Sequence, residues 1–85
     1  MQVEVYDTYV VKKDGSILHF DVLVPQGCKP EQVYDFGKSY LRSRGLENLT
    51  LTSQECTFCH VEQIPASVEM DITKQGYHII ELDGG

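Results

Sequence analysis

Apolar and polar positions nearly alternate from Val3 to Val11, in a stretch rich in Val, Tyr and Thr, and this predicts a strand with one face covered. Lys13-Asp14-Gly15-Ser16 follows. Asp-Gly between two β-rich runs predicts a hairpin, because Gly accepts the positive φ that such turns require. Ile17 to Val24 is then the returning strand. Its period of two sends Leu18, Phe20, Val22 and Val24 toward the core and leaves Ile17, His19, Asp21 and Leu23 on the other face.

The period changes after Pro25 and Gly27. From Glu31 to Arg44, Val33, Phe36, Tyr40 and Leu41 fall at helical spacing. Pro30 suits the first turn, Arg42 and Arg44 suit the negative end of the helix dipole, and Gly45 is the stop. Gly37 inside this helix predicts close backbone packing against the sheet. Leu46 to Ser53 reads as a connection and Glu55 to Gln63 as a third strand. Ala66 to Gln75 fits both periods; Pro65 before it and Gly76 after it favour a helix. Tyr77 to Leu82 is the last strand. The order ββαβαβ predicts an α+β fold of two layers, a four-stranded mixed sheet with both helices on one face. If 66–75 is a strand, a second hairpin at Lys74-Gln75-Gly76 gives ββαβββ instead.

Eighty-five residues allow one domain, 1–85, with a modest core, and 41% hydrophobic and 24% charged residues are ordinary globular values. No apolar run could span a bilayer, and the first ten residues hold neither a basic nor an apolar leader region, so the expectation is a cytoplasmic protein with no membrane partner. A formal charge of -6 with scattered Lys and Arg argues against nucleic acid and suits a basic protein partner or simple solubility. Oligomeric state is not legible.

Cys56-Thr-Phe-Cys59-His60 is the most chemically suggestive stretch. C-x-x-C-H is the attachment pattern of c-type haem, but that reading lacks an export signal and a helical setting. Zinc fits the donors better: two thiolates and an imidazole, with His19, Glu62 or Cys28 to complete a tetrahedron. Strand geometry opposes it, because residues three apart point to opposite faces unless the chain turns there as a knuckle. A thioredoxin-like role would need a helix after the motif, and His-Val-Glu-Gln-Ile-Pro does not begin one. The plain alternative is that Cys59 is a small buried hydrophobe and that Cys56, His60 and Glu62 line a partly exposed face.

His19 and Asp21 share a face of the second strand, and Cys56, His60 and Glu62 would share one on the third. Were those strands neighbours, they would form a cluster able to bind metal or handle protons, with Asp7 and Tyr9 joining it. An exposed sheet face is, however, polar in any case. At the other end, Gly84-Gly85 after a hairpin, a helix and further strands resembles ubiquitin-like sulfur carriers, whose side-chain-free tail is adenylated and then carries sulfur as a thiocarboxylate.

Four motifs together, Val5-Tyr-Asp-Thr-Tyr-Val10, His19-Phe-Asp-Val-Leu-Val-Pro25, Cys56-Thr-Phe-Cys-His-Val-Glu62 and Gly76-Tyr-His-Ile79, resemble a small bacterial family. It is known as a domain of unknown function, numbered twenty twenty-four, and the likeness covers essentially the whole chain. The resemblance implies a compact two-layer α+β fold in the bacterial cytosol and carries over no catalytic residue. The leading expectation is therefore a binding or interaction module rather than an enzyme. Its chemistry would centre on Cys56, Cys59, His60 and His19, with zinc as the candidate cofactor, and a sulfur carrier is the alternative.

Overall fold

The computed structural model describes residues 1–46 and 48–83, with no account of the Asp83 side chain. The elements follow in the order β1 (Gln2–Val11), β2 (Ile17–Pro25), α1 (Pro30–Ser43), β3 (Cys56–Gln63), α2 (Ala66–Gln75) and β4 (His78–Asp83). The ambiguous segment is thus a helix, closed by Gly76 at φ 95°, whose N–H donates to the Ile72 carbonyl at 2.7 Å. No helix among the described residues is long and apolar enough to cross a membrane.

The β1–β2 hairpin forms as the Asp-Gly signal predicts. Gly15 sits at φ 88°, and Asp14 Oδ1 accepts from the Ser16 N–H at 2.9 Å and the Ser16 hydroxyl at 2.6 Å. The register then runs unbroken from Val11↔Ile17 to Val3↔Pro25. The sheet order is β3-β1-β2-β4, and every pairing in it is antiparallel. The expected mixed sheet is corrected on this point, because β3 is laid antiparallel to its neighbour β1 and β4 antiparallel to its neighbour β2.

The helices also do not share a face. On one side, Val33, Tyr40 and Leu41 of α1 pack with Tyr6, Val10, Leu18, Phe20, Val22 and Val24. On the other, Ile72 of α2 and Ile64 pack with Val3, Val5 and Leu23, with Val68 against them. Strand alternation puts these two sets on opposite faces, so the fold has three layers rather than two. Leu23, at 2% exposure, belongs to this second core and not to a solvent face. The connections explain it: α1 passes over β1 to reach the far edge, and α2 crosses beneath the sheet to the opposite edge beside β2.

α1 begins with Pro30 in its first turn, and near its end Arg44 donates to the Tyr40 hydroxyl at 2.9 Å while both groups bond Glu81 of β4. Gly37 is required by a close approach, but to Leu51 of the connecting segment and not to the sheet: an added Cβ would lie 2.3 Å from Leu51 Cδ2. Leu51 is 2% exposed and has little room to yield. Overpacking of this kind costs about 1–3 kcal/mol, and the helix propensity of alanine recovers only about 1. Gly37→Ala is accordingly expected to lower stability in a urea titration; a higher midpoint would show that the Leu51 side chain moves freely.

Candidate functional site

α2 covers only the Val3, Val5 and Leu23 end of its face. The rest of that face stays open, and the hairpin register assembles polar groups there: Asp7 lies opposite Asp21, and Tyr9 opposite His19. His19 Nε2–H donates to Asp7 Oδ1 at 2.6 Å, and the Tyr9 ring stacks on the imidazole with centroids 3.9 Å apart and planes 15° from parallel. Asp7, His19 and Asp21 are all half-buried and each offers one ligand atom, these atoms lying within 4.8 Å of one another.

The two carboxyl groups are crowded. The Asp21 carboxyl is pushed up to about 6, first by burial and then by its hydrogen bond to, and the charge of, Asp7, while His19 and His60 pull the other way. Asp21 thus keeps its proton well above the ordinary carboxylate range. Around this polar centre the same face exposes Tyr9, Val11, Ile17 and, paired with Asp21, Ile80. A polar cluster ringed by exposed apolar side chains is more than an ordinary solvated sheet face presents.

The third strand does not lie beside the second, as the clustering expected from sequence would need. β1 lies between them, so Asp7 and not a residue of β3 is the neighbour of His19 and Asp21. A bulge between Phe58 and His60 shifts the β1–β3 register, and strand alternation separates the cysteines. Cys56 is 1% exposed on the α1 side, where its Sγ accepts from the Thr8 hydroxyl at 3.3 Å. Burial pushes its thiol up, only partly offset by that hydrogen bond, so it is neither a ready nucleophile nor a ready ligand. Cys59 is exposed, with Sγ 3.2 Å from His60 Nδ1.

His60 Nε2 lies 3.4 Å from Glu62 Oε1, both exposed at the sheet edge beside Val5 and Val3. Cys28 packs against the α1 core with its thiol pushed up by burial. Of the residues singled out from sequence, then, His19 and Asp21 come together with Asp7 and Tyr9. His60, Cys59 and Glu62 form a separate group at the edge, and Cys56 and Cys28 lie on the other side. Gly84 and Gly85 lie outside the described residues.

Sequence reasoning missed a further pair, His78 Nδ1 and Asp71 Oδ2 at 2.7 Å, which ties α2 to β4 on the same face. Only the strand order makes it visible.

Comparison with known proteins adds a fold and a family but no chemistry. A family model described as a domain of unknown function, DUF2024, matches residues 1–82. The NMR structure of protein NE1680 from Nitrosomonas europaea, a structural genomics target, is similar to this chain at 44% identity. The match covers 99% of this chain and 98% of that one with a TM-score of 0.88. No curated protein matches.

Proposed function

The chain belongs to the DUF2024 family, a domain of unknown function, and we propose that it is a small binding module whose centre is a divalent metal ion held by Asp7, His19 and Asp21. The observation that carries this reading is the convergence of one imidazole nitrogen and two carboxylate oxygens, all within 4.8 Å of one another, on two adjacent strands of a rigid hairpin. A cation among these groups takes the place of the proton between His19 and Asp7 and relieves the crowding of two carboxylates. One nitrogen and two oxygens suit zinc and its first-row neighbours better than calcium or magnesium, and three protein ligands leave a position free for a bound partner.

His19 thus keeps the metal role expected from sequence, with Asp7 and Asp21 in place of the cysteines. His60 is close enough for its charge to act on Asp21. A binding role is preferred to an enzymatic one because the buried Cys56 thiol is held protonated and unexposed. Three cysteines without a disulfide among them support a reducing cytoplasm, and the Nitrosomonas europaea structure supports a bacterial source. The sulfur-carrier alternative rests on Gly84 and Gly85, which lie outside the described residues.

Calorimetric titration of the reduced, metal-free chain with zinc tests the reading. One equivalent is expected to bind. Loss of an outer-shell partner alone weakens metal affinity by about 10–100-fold, so His19→Ala and Asp7→Asn should each lose at least about 100-fold. Cys56→Ser and Cys59→Ser should leave binding unchanged. Binding that survives His19→Ala but not Cys59→Ser would move the metal to the β3 edge and overturn this assignment.

A further inference from the structure

We infer that β3 is the pairing edge of a two-fold dimer, in which the Cys56–Gln63 strands of two copies run antiparallel and join two four-stranded sheets into one. The inference is independent of the metal site. β3 is an outer strand that pairs only with β1 among the described elements, and seven of its eight residues are exposed. Edge strands are ordinarily guarded by lysine, proline, brevity, a bulge or a covering element, and of these β3 carries the bulge. β3 has no lysine and no proline, Glu62 is its one formally charged residue, and its exposed members include Phe58 at 52% and Val61 at 43%.

The backbone shows what fits this edge. The Glu55 carbonyl accepts from the Tyr9 N–H at 2.9 Å, and the Ile64 N–H donates to the Met1 carbonyl at 3.2 Å. Main-chain groups of an antiparallel strand turn toward and away from a neighbour on alternate residues. Counting inward from these two anchors, Thr57, His60 and Glu62 face β1, so the N–H and C=O groups of Phe58, Val61 and Gln63 face outward with the C=O of Cys56, whose N–H is held by the Thr52 carbonyl at 2.9 Å. The bulge supplies the extra residue between Phe58 and Val61. The outward set therefore has the same spacing read in either direction, with the bulge at its centre.

A strand of that symmetry is complementary to itself. A copy turned by half a revolution sets Phe58 opposite the second copy's Val61 and Cys56 opposite its Gln63. The register to β1 puts Phe58 and Val61 on one face, opposite Tyr6 and Glu4 respectively, so two strands close them into a four-residue apolar cluster. On the other face Glu62 meets the second copy's Thr57, and no carboxylates oppose each other although each chain carries a formal charge of -6. A bulge that would spoil pairing with a regular peptide strand is here matched by its own copy. This favours a second copy of the chain over a foreign segment.

Sedimentation equilibrium of the untagged, reduced chain from micromolar to millimolar concentration is the test. The expected result is a reversible dimer, weakened at least about tenfold by Val61→Lys. In the unaltered protein, amide exchange at Phe58 and Val61 should slow as concentration rises while Thr57 and Glu62 stay constant; this second measurement does not depend on a variant folding. A monomer at millimolar concentration would overturn the inference. So would a dimer that leaves exchange at Phe58 and Val61 independent of concentration.

Discussion

Phe20→Ala is expected to lower the unfolding free energy by about 3–5 kcal/mol, the usual penalty for emptying a buried aromatic site. Phe20 is fully buried at the centre of the α1 side, its ring 4.6 Å from that of Tyr40, among Leu18, Val22 and Val24. A domain of 85 residues has about 4–13 kcal/mol in total. Against the middle of that range the variant should therefore lose about a third to a half of its stability, with the urea midpoint lowered in proportion. A loss under about 1 kcal/mol would mean that α1 collapses onto the vacated space, and that this core is less tightly packed than its burial implies.

The second large effect concerns the crowded carboxylates, and its direction is the less intuitive. Asp21→Asn should stabilise the metal-free protein at pH 8 and change little at pH 4. The folded value of about 6 stands above the ordinary 3.8, so below pH 3.8 both folded and unfolded chains hold the proton. As pH rises from there through 6, the unfolded chain releases it first, and native stability falls. Asparagine removes that loss and keeps a donor for Asp7. The groups facing Asp21 are Asp7 of β1, His19 of its own strand, His60 of β3 and, on β4, the uncharged Ile80. Solvent screening at a half-buried site trims the gain to about 1 kcal/mol, which corresponds to about 4–8 °C in melting temperature for a domain of this size. Equal shifts at pH 4 and pH 8 would show that the carboxylates do not compete.

Most elements are legible in the chain because each carries a local signal: Asp-Gly for the hairpin, Pro30 and Gly45 around α1, Pro65 and Gly76 around α2. The hairpin register is legible too, since a turn at Asp14-Gly15 makes Asp7 face Asp21 and Tyr9 face His19 with no further information. Strand order is not. Nothing in the alternation of β3 says whether it pairs with β1 or β2, and that choice decides whether His60 comes beside His19 and Asp21. The second core was hidden for a related reason. Leu23 alternates as though solvent-facing, and only the passage of α2 beneath the sheet buries it, a consequence of which edges the crossovers join. The separation of Cys56 from Cys59 across the sheet follows from strand alternation, but the bulge that brings Cys59 beside His60 has no local signature.

Every group of the proposed metal centre lies between positions 7 and 21, within one hairpin closed by a short turn. Closing so short a loop carries little entropy, whereas pairing β1 with β3 must gather a segment some fifty residues away. During synthesis these groups emerge ahead of both α1 and α2. A cation that binds them would act on the nascent chain as well as on the finished one, holding the hairpin register in place while the remaining strands are still being made.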